Sequence, residues 1–529
     1  MSQIFSRILL IIPSYSHEVI DQHALPTRVV PFGVLSLASY IGYYCPWVEC
    51  KILDFNTTSQ DTSEQYNILK SKIIEFNPDI VGLSVMYNAC IKQIAPFTKI
   101  IKTINPATIL VAGGIMATNM HGEIFSESHL VDAVCYGEGE IPLRDLLCSK
   151  DPHILFQEHP SWILYNKTLN KKQPSQSFVF NLDEIPPINY SLVNGKEYTS
   201  QFRNKDGEDG FALPIHSTRG CPFNCIFCCA AANHGKRIRS MSASRFLSDV
   251  KHMIKEYKIT RLSIDDDQFL FKRERAKEIL IGLAGLGIEI EMANGLTVRF
   301  IDNEMARLLK NAGLTIAVLA IESGSQRVLN EIINKPLVLD EVSKAVYALR
   351  KQNLSIHSFF IIGFPGETAE DRQLTRDFIV SNGFDWNGIF IATPFRGSRL
   401  FDLCREKGYI PDDCFLDSNI FVCQITAPNI EPKEITKEAY LLNLDVNFVN
   451  NYNISQGMYK KAAGYFEGIT KRYPNHAFAH YFLAKALQHI PDSDRILVQN
   501  HYQRYKEIIS SDILWQDYAE FFNISECFG

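Results

Sequence analysis

Five short apolar runs alternate with longer stretches of helical periodicity across the first 150 residues of the chain. The runs cover residues 7–12, 48–53, 79–85, 108–113 and 131–136, and helices are predicted near 33–44, 62–76, 89–103, 119–125 and 141–148. Strands that are apolar throughout and joined by helices belong to a parallel sheet covered on both faces, because a sheet with one wet face alternates polar and apolar positions. Residues 1–150 therefore predict an α/β domain built on a doubly wound parallel sheet. Small or turn-forming residues close several of these strands: Ser84, Gly113 with Gly114, and Gly137-Glu138-Gly139-Glu140. Ligands of such sheets lie at the carboxyl ends of the strands, where glycine lets the backbone approach a large planar or phosphate-bearing group. On pattern alone the ligand is nucleotide-like, although the same glycines would serve tight turns in any domain of this topology. No Gly-x-Gly-x-x-Gly follows the first strand, which counts against a nicotinamide cofactor.

The alternation resumes over residues 211–410, with strands predicted at 213–216, 261–264, 289–293, 315–321, 356–362 and 388–392. Six βα repeats predict a partial (β/α)6 barrel, whose reactive face is the carboxyl end of its strands. Polar blocks fall there: Asp265-Asp266-Asp267-Gln268, Asn294-Gly295, Glu322-Ser323-Gly324-Ser325 and Gly363-Phe364-Pro365-Gly366-Glu367. Acidic and hydroxyl residues at strand ends commonly cap the next helix, and Asp302 and Ser325 are read so. Asp266 is expected to face the cavity shared with the first domain, and Asp265 and Asp267 to cap or solvate. Pro394-Phe395-Arg396-Gly397-Ser398 is read as a structural turn. Between the two units, residues 151–210 form a connector rich in Lys, Asn, Gln and Ser, with a hairpin-like stretch at 162–170 and a stiff Pro186-Pro187. Residues 411–529 are helical and aromatic, and 462–487 resemble one tetratricopeptide-type helical hairpin, read as a packing cap. A single repeat makes no solenoid.

Composition narrows the class. With 46% hydrophobic residues in 529, the chain has material for sizeable cores in several domains. A formal charge of −6 gives no field that would draw nucleic acid or an anionic membrane. The 13 cysteines have no disulfide rhythm and fit a reducing compartment, so cytoplasm is expected. The apolar run 8–12 stops at Pro13, as a first strand does and a signal peptide does not. No stretch approaches the roughly 18 apolar residues that span a bilayer.

The chemistry is carried by Cys221, Cys225 and Cys228, spaced x3 and x2 on a loop that starts at Gly220. Three thiolates so spaced can wrap three corners of an iron–sulfur cube and leave the fourth iron open to bind and reduce a ligand. The alternative is a structural zinc loop with Cys229 as fourth ligand, which two adjacent cysteines would find hard to supply to one tetrahedral ion.

The cysteine triad with Phe227 before its last member resembles the radical S-adenosylmethionine (SAM) superfamily, and Ser84-x-Met86, a gap of 26 residues, and Gly113-Gly114 resemble part of a cobalamin-binding signature. Together with Gly-Glu-Gly-Glu they resemble the cobalamin-dependent radical SAM family over residues 5 to 400. The resemblance implies a cobalamin-binding, Rossmann-like first domain, a radical SAM barrel, a 4Fe-4S cluster on Cys221, Cys225 and Cys228, and an electron donor such as flavodoxin or ferredoxin. It implies SAM contacts at Phe227, Asn294, Arg299, Glu322, Ser323, Gly363 and Pro365. It implies cobalamin contacts at Ser84, Met86, Tyr87, Gly113, Gly114, Gly137 and Glu138. The family's Asp-x-His-x-x-Gly loop is broken, since Leu25-Pro26 follows Asp21-Gln22-His23, so cobalt is expected without His23 as ligand. The implied activity is methylation of an unactivated carbon of a small molecule or peptide, through a 5′-deoxyadenosyl radical and methylcobalamin. A non-methylating cyclisation, rearrangement or oxidation on the same cofactors, and a non-catalytic binding protein, stay open. Methylthiolation is disfavoured, because the first segment has no second cysteine triad. No catalytic cysteine stands out among Cys229, Cys404, Cys414 and Cys423.

Overall fold

Strand β1 (Arg7–Ile12) is buried along nearly its whole length and is hydrogen-bonded in parallel on both sides, to β2 (Glu49–Asp54) and β3 (Ile80–Ser84). The computed structural model describes residues 5–15, 29–59, 61–165, 174–198, 212–411 and 419–524. With β4 (Ile109–Gly113), β5 (Ala133–Cys135) and β6 (Trp162–Ile163) the first sheet runs in the order β2-β1-β3-β4-β5-β6. Five strands are parallel, as the apolar runs predict, and β6 is an antiparallel edge on β5. The start of the expected 162–170 hairpin thus belongs to the first sheet, and residues 166–170 lie outside the described residues. Two apolar layers flank the sheet, one around Phe55, Phe97 and Phe125, the other around Val34, Leu146 and Trp162. The strand order reverses between β1 and β3, the point at which open α/β sheets bind ligands.

Six parallel strands form the second unit. β7 (Ala212–Ile215), β10 (Arg261–Ile264) and β11 (Glu289–Glu291) make one arc, and β12 (Ile316–Glu322), β13 (Ser355–Ile362) and β14 (Trp386–Ile391) the other. Parallel bridges Ile290–Leu314 and Leu296–Leu319 join the two arcs into an open half-barrel. A short antiparallel ladder, β8 (Thr218–Arg219) and β9 (Arg239–Ser240), stands outside the barrel and closes the base of the cysteine loop. Helices pack the outer faces of the strands in one core that includes Phe246, Leu280, Leu309, Leu349 and Phe360.

The carboxy-terminal helices Tyr459–Arg472 and Ala477–Gln488 form the expected hairpin, and Arg495–Ser511 and Ile513–Phe521 extend it into a larger helical unit. Its attachment to the barrel is polar and aromatic. Trp386 stacks on Tyr465 at 5.5 Å, and Tyr465 bonds His357 at 2.8 Å. Beside them the buried Asp385 accepts from Ile356 N at 2.7 Å and pairs with Arg350 at 3.4 Å and Lys461 at 2.8 Å. No described helix is long and apolar enough to cross a membrane.

Because Asp385 serves a buried amide and two cations, Asp385→Ala should lower the unfolding free energy by about 2–3 kcal/mol, the worth of hydrogen bonds to a charged group. Urea titration followed by tryptophan fluorescence measures it. A loss below about 0.5 kcal/mol would mean that the tail does not depend on this anchor.

Candidate active site between the two domains

The carboxyl ends of the first sheet and of the barrel's first strands line one open cavity of about 410 Å³. Ser84, Met86, Tyr87, Gly113, Gly114, Gly137 and Glu138 all line it. It reaches back to the mid-strand residues Leu10, Gly82 and Val111, so side chains do not fill the crevice over the sheet. Met86 and Tyr87 are 36% and 42% exposed at its edge. Gly114 sits at φ +105, and a Cβ there would lie 2.8 Å from Val85 O, so only glycine gives this turn. Pockets for ordinary small ligands run roughly 300–1,000 Å³. The cavity falls within that range, and its open mouth, mainly apolar lining and glycine-built wall suit a planar cofactor such as a corrin. Residue His23 lies outside the described residues.

From the barrel side His216, Arg219, Asn233, His234 and Asp265 complete the wall. Arg219 and Arg239 are cross-strand partners on the β8–β9 ladder, and both turn to the first domain. Arg239 donates to Glu138 at 2.5 and 2.8 Å, and Arg219 meets Glu138 at 3.2 Å and Glu140 at 2.9 Å. All four side chains are buried. Burial alone would raise the Glu138 carboxyl, but the two guanidiniums hold it below its ordinary value. The Glu138 carboxylate, expected to contact cobalamin, is thus committed to joining the domains. Neither arginine stands out in the sequence, because the partner lies 81 and 101 residues away.

The cysteine loop hangs from this ladder. Gly220 takes φ +99 with Arg237 O 2.4 Å from where a Cβ would stand, Cys221 N donates to Gly235 O, and Ile226 is bonded to Ile333 and Leu400. Gln268 Nε2 donates to Cys221 Sγ and Ala230 N to Cys228 Sγ, both at 3.4 Å. Burial raises the thiols, that of Cys225 to about 12, where Cys228 and Cys221 reinforce the shift and Lys335 opposes it. Iron removes those protons outright when thiolates ligate it. Among the described residues no three His, Cys, Asp or Glu groups converge as ligands of one ion would. The Cys229 thiol, fourth ligand in the zinc alternative, donates instead to Arg396 O at 3.6 Å.

The aspartate run corrects three expectations. Asp266 does not face the cavity: it is buried and accepts from Ser217 N at 2.5 Å, Ser217 Oγ at 2.6 Å and Thr218 N at 2.9 Å. Asp267 neither caps a helix nor faces solvent, but accepts from Gly220 N and pairs with His234 Nδ1, both at 2.7 Å. Asp265 is the one that lines the cavity, bonded to Ser263 Oγ at 2.6 Å. Consecutive strand-end residues point different ways, and a sequence pattern does not reveal which.

On the far side of the cysteine loop, Glu322 is buried at φ +75 and pairs with Lys335 at 3.0 Å, and its charge acts on both Cys225 and Cys228. Phe227 lies 6.0 Å from Phe364, between Gly363 and Pro365 in sequence. Ser323 is fully buried, its hydroxyl spent on Ser325 N at 3.1 Å and Thr375 at 3.2 Å, so the expected side-chain contact with SAM gives way to a structural one. Asn294 is exposed and donates to Asp265 O at 2.9 Å, and Arg299 is exposed on a short turn. Asp302 caps its helix through Met305 N at 2.8 Å. Glu367 holds the Gly363 turn from below, accepting from Gly363 N at 2.5 Å and Phe364 N at 3.3 Å, and burial pushes its carboxyl up to about 8.

A ligand chamber on a 2-1-3-4-5 sheet, facing a half-barrel that carries three thiols at the seam, defines a corrin-binding domain joined to a radical SAM barrel. Residues 215–379 match the radical SAM superfamily and 23–147 the B12 binding domain. An uncharacterised methyltransferase of Pyrococcus horikoshii is 30% identical over 403 residues, 75% of this chain and 82% of that protein. The cytidylyl-2-hydroxyethylphosphonate methyltransferase of Streptomyces wedmorensis is 26% identical over 84% of this chain and 90% of its own. The radical SAM methyltransferase TsrM of Kitasatospora setae, solved with cobalamin and a 4Fe-4S cluster bound, shares the fold with a TM-score of 0.64 at 13% identity, over 97% of this chain and all of that one. The chain belongs to the cobalamin-dependent radical SAM enzymes, whose cofactors are a 4Fe-4S cluster, SAM and cobalamin.

Two outcomes are expected. Glu138→Gln leaves two buried guanidiniums facing one carboxylate and should cost about 3–5 kcal/mol in urea unfolding. A loss under about 1 kcal/mol would show that the four charges do not hold the domains together. Glu367 keeps its proton up to about pH 8 in the folded chain, whereas a free glutamate loses it near 4.3. The folded state therefore binds the extra proton between these values, and its stability falls as pH rises through that window. Glu367→Gln should flatten the fall, and an unchanged slope between about pH 5 and 8 would rule this carboxyl out as its source.

Proposed function

We propose that the enzyme methylates an unactivated carbon of a small molecule or peptide in the cavity between its domains. When bound, the cluster and SAM supply a 5′-deoxyadenosyl radical and the corrin supplies a methyl group. The observation that carries the reading is the single chamber that the first sheet's glycine loops share with the barrel residues beside the cysteine loop. Cys221, Cys225 and Cys228 would hold the cluster, with Gln268 and the Ala230 amide donating to two of the sulfurs and so tuning it. Ser84, Met86, Tyr87, Gly113, Gly114 and Gly137 would seat the corrin, and the rest of the Glu138 residue would border it. Glu322, Phe227, Gly363 and Pro365 are supported as the SAM side by their position around Cys225 and Cys228. Asn294 would act through the Asp265 carbonyl it bonds, and the backbone at Ser323 would set the turn next to Glu322. Arg299 is a more distant candidate. A flavodoxin or ferredoxin type of donor would supply electrons, in the cytoplasm.

Protein purified with cobalamin supplied should carry one cobalt per chain, and after anaerobic reconstitution should form 5′-deoxyadenosine from SAM, an activity that Cys225→Ala abolishes. In extracts given SAM labelled in its methyl group, a product heavier by the labelled methyl supports methyl transfer. Deoxyadenosine formed with no label in any product would instead support cyclisation, rearrangement or oxidation, and failure to bind cobalt or cleave SAM would support a binding protein.

A further inference from the structure

Two thiols outside the cluster loop touch. Cys45 Sγ and Cys148 Sγ lie 3.9 Å apart, joining positions 103 residues distant in the chain. No other pair of described thiols is in such contact: Cys90 and Cys135 are buried and bond backbone carbonyls, and Cys404 and Cys423 are both sealed in the barrel core. The pair is asymmetric. Cys45 is fully buried just past the helix Phe32–Tyr44, and Cys148 is exposed at the end of the helix Glu140–Cys148. One thiol is thus open to a reagent in solution and the other waits behind it, the arrangement of an attacking and a resolving cysteine.

The two helices that end in these thiols are also two walls of the cavity. Phe32, Val34 and Leu37 from the first and Glu140 and Leu143 from the second line it. Higher up, Ser36 Oγ donates to Glu140 at 3.2 Å, so the pair of helices is already tied at the cavity end and carries half of the charge lock to Arg219. Toward the far end Arg144 donates to the Tyr40 hydroxyl at 3.4 Å, and the thiol contact and apolar packing complete the joint.

We propose that Cys45 and Cys148 form a reversible disulfide site that staples these two cavity walls together under oxidising conditions. The oxidant is a low-molecular-weight disulfide. Cys148 as thiolate attacks one of its sulfurs, forming a mixed disulfide and releasing one small thiol. Cys45 then attacks Cys148 Sγ and the departing small thiolate takes up its proton, leaving as the second small thiol. Two protein thiols are oxidised to one disulfide and one small disulfide is reduced to two thiols. The sulfurs must close from 3.9 Å to a bond of about 2.05 Å. The consequence for the cavity rests on the corrin assignment made above, but formation of the bond does not.

Anaerobic holoenzyme treated with oxidised glutathione should lose two thiols per chain, and peptide mapping without reductant should find Cys45 linked to Cys148. Dithiothreitol should restore both. In Cys45→Ser, glutathione should stay trapped on Cys148, and in Cys148→Ser, whose changed residue is exposed and leaves folding intact, neither adduct nor link should form. Glutathione held on Cys148 of the unaltered chain without a link, or a link between other cysteines, would overturn the site. The stapled protein should release hydroxocobalamin several-fold more slowly than the reduced protein, with no such difference in Cys148→Ser. Equal release from linked and reduced protein would overturn the staple, whereas absence of bound corrin in the reduced protein would instead fault the corrin assignment.

Discussion

The architecture depends on a buried charge exchange at the seam. Two arginines stand opposite each other on a two-residue ladder, an arrangement that like charges make unfavourable by themselves. It persists because Glu138 and Glu140 of the first domain meet them, giving two positive and two negative buried charges. Removing four charges from water is costly, and only good geometry offsets it, so the network serves registration more than stability. What it registers is functional. The ladder is the base of the cysteine loop, and the two glutamates follow β5, the last parallel strand of the ligand-binding sheet. A shift of either domain would break the pairing before it moved the thiols relative to the chamber.

The aspartate run performs the same service inside the barrel. Asp266 fixes Ser217 and Thr218, Asp267 fixes Gly220 and His234, and Gln268 reaches Cys221, so one strand end holds the loop at successive points. The bonds to Ser217, Thr218 and Gly220 use backbone amides that a loop of this kind would leave unpaired if buried. The glycine at position 220 then allows the sharp departure that no larger residue permits.

Much of this was legible in the sequence, for physical reasons that differ by element. Buried parallel strands advertise themselves as apolar runs, as at 7–12, and both this strand and the alternating 261–264 are found at the expected bounds. The glycines that close the first sheet's strands, Gly113, Gly114, Gly137 and Gly139, are set by local backbone approach, and all four border the chamber. Direction and pairing were not legible. Whether Asp265 or Asp266 faces the chamber depends on a half-turn of backbone, and whether Glu138 meets a ligand or an arginine depends on a residue far along the chain. The family resemblance implies a SAM contact at Ser323, whose hydroxyl is bonded to Ser325 N within the turn and to Thr375. Arg219 and His234 sat in or beside the stretch that carried the strongest signal and were passed over, since a lone arginine or histidine has no spacing to mark it.

The charges that remain around the chamber explain why it suits radical chemistry. Charged groups there are paired, as in Arg219 with Glu138 and Glu140 and Glu322 with Lys335. Three other groups nearby are held toward their neutral forms. Burial brings His216 down to about 3, where it stacks on Phe32 as an uncharged ring, and pushes Asp265 and Glu367 up. Enzymes that stabilise a developing oxyanion need fixed donors aimed at one atom. Hydrogen abstraction by a carbon radical develops no such charge, so the protein's task is to position the partners and keep out water and stray donors. A chamber with apolar walls, balanced ion pairs and neutral titratable groups does that, and it leaves selectivity to shape, which is why the glycines and the domain lock carry so much of the design.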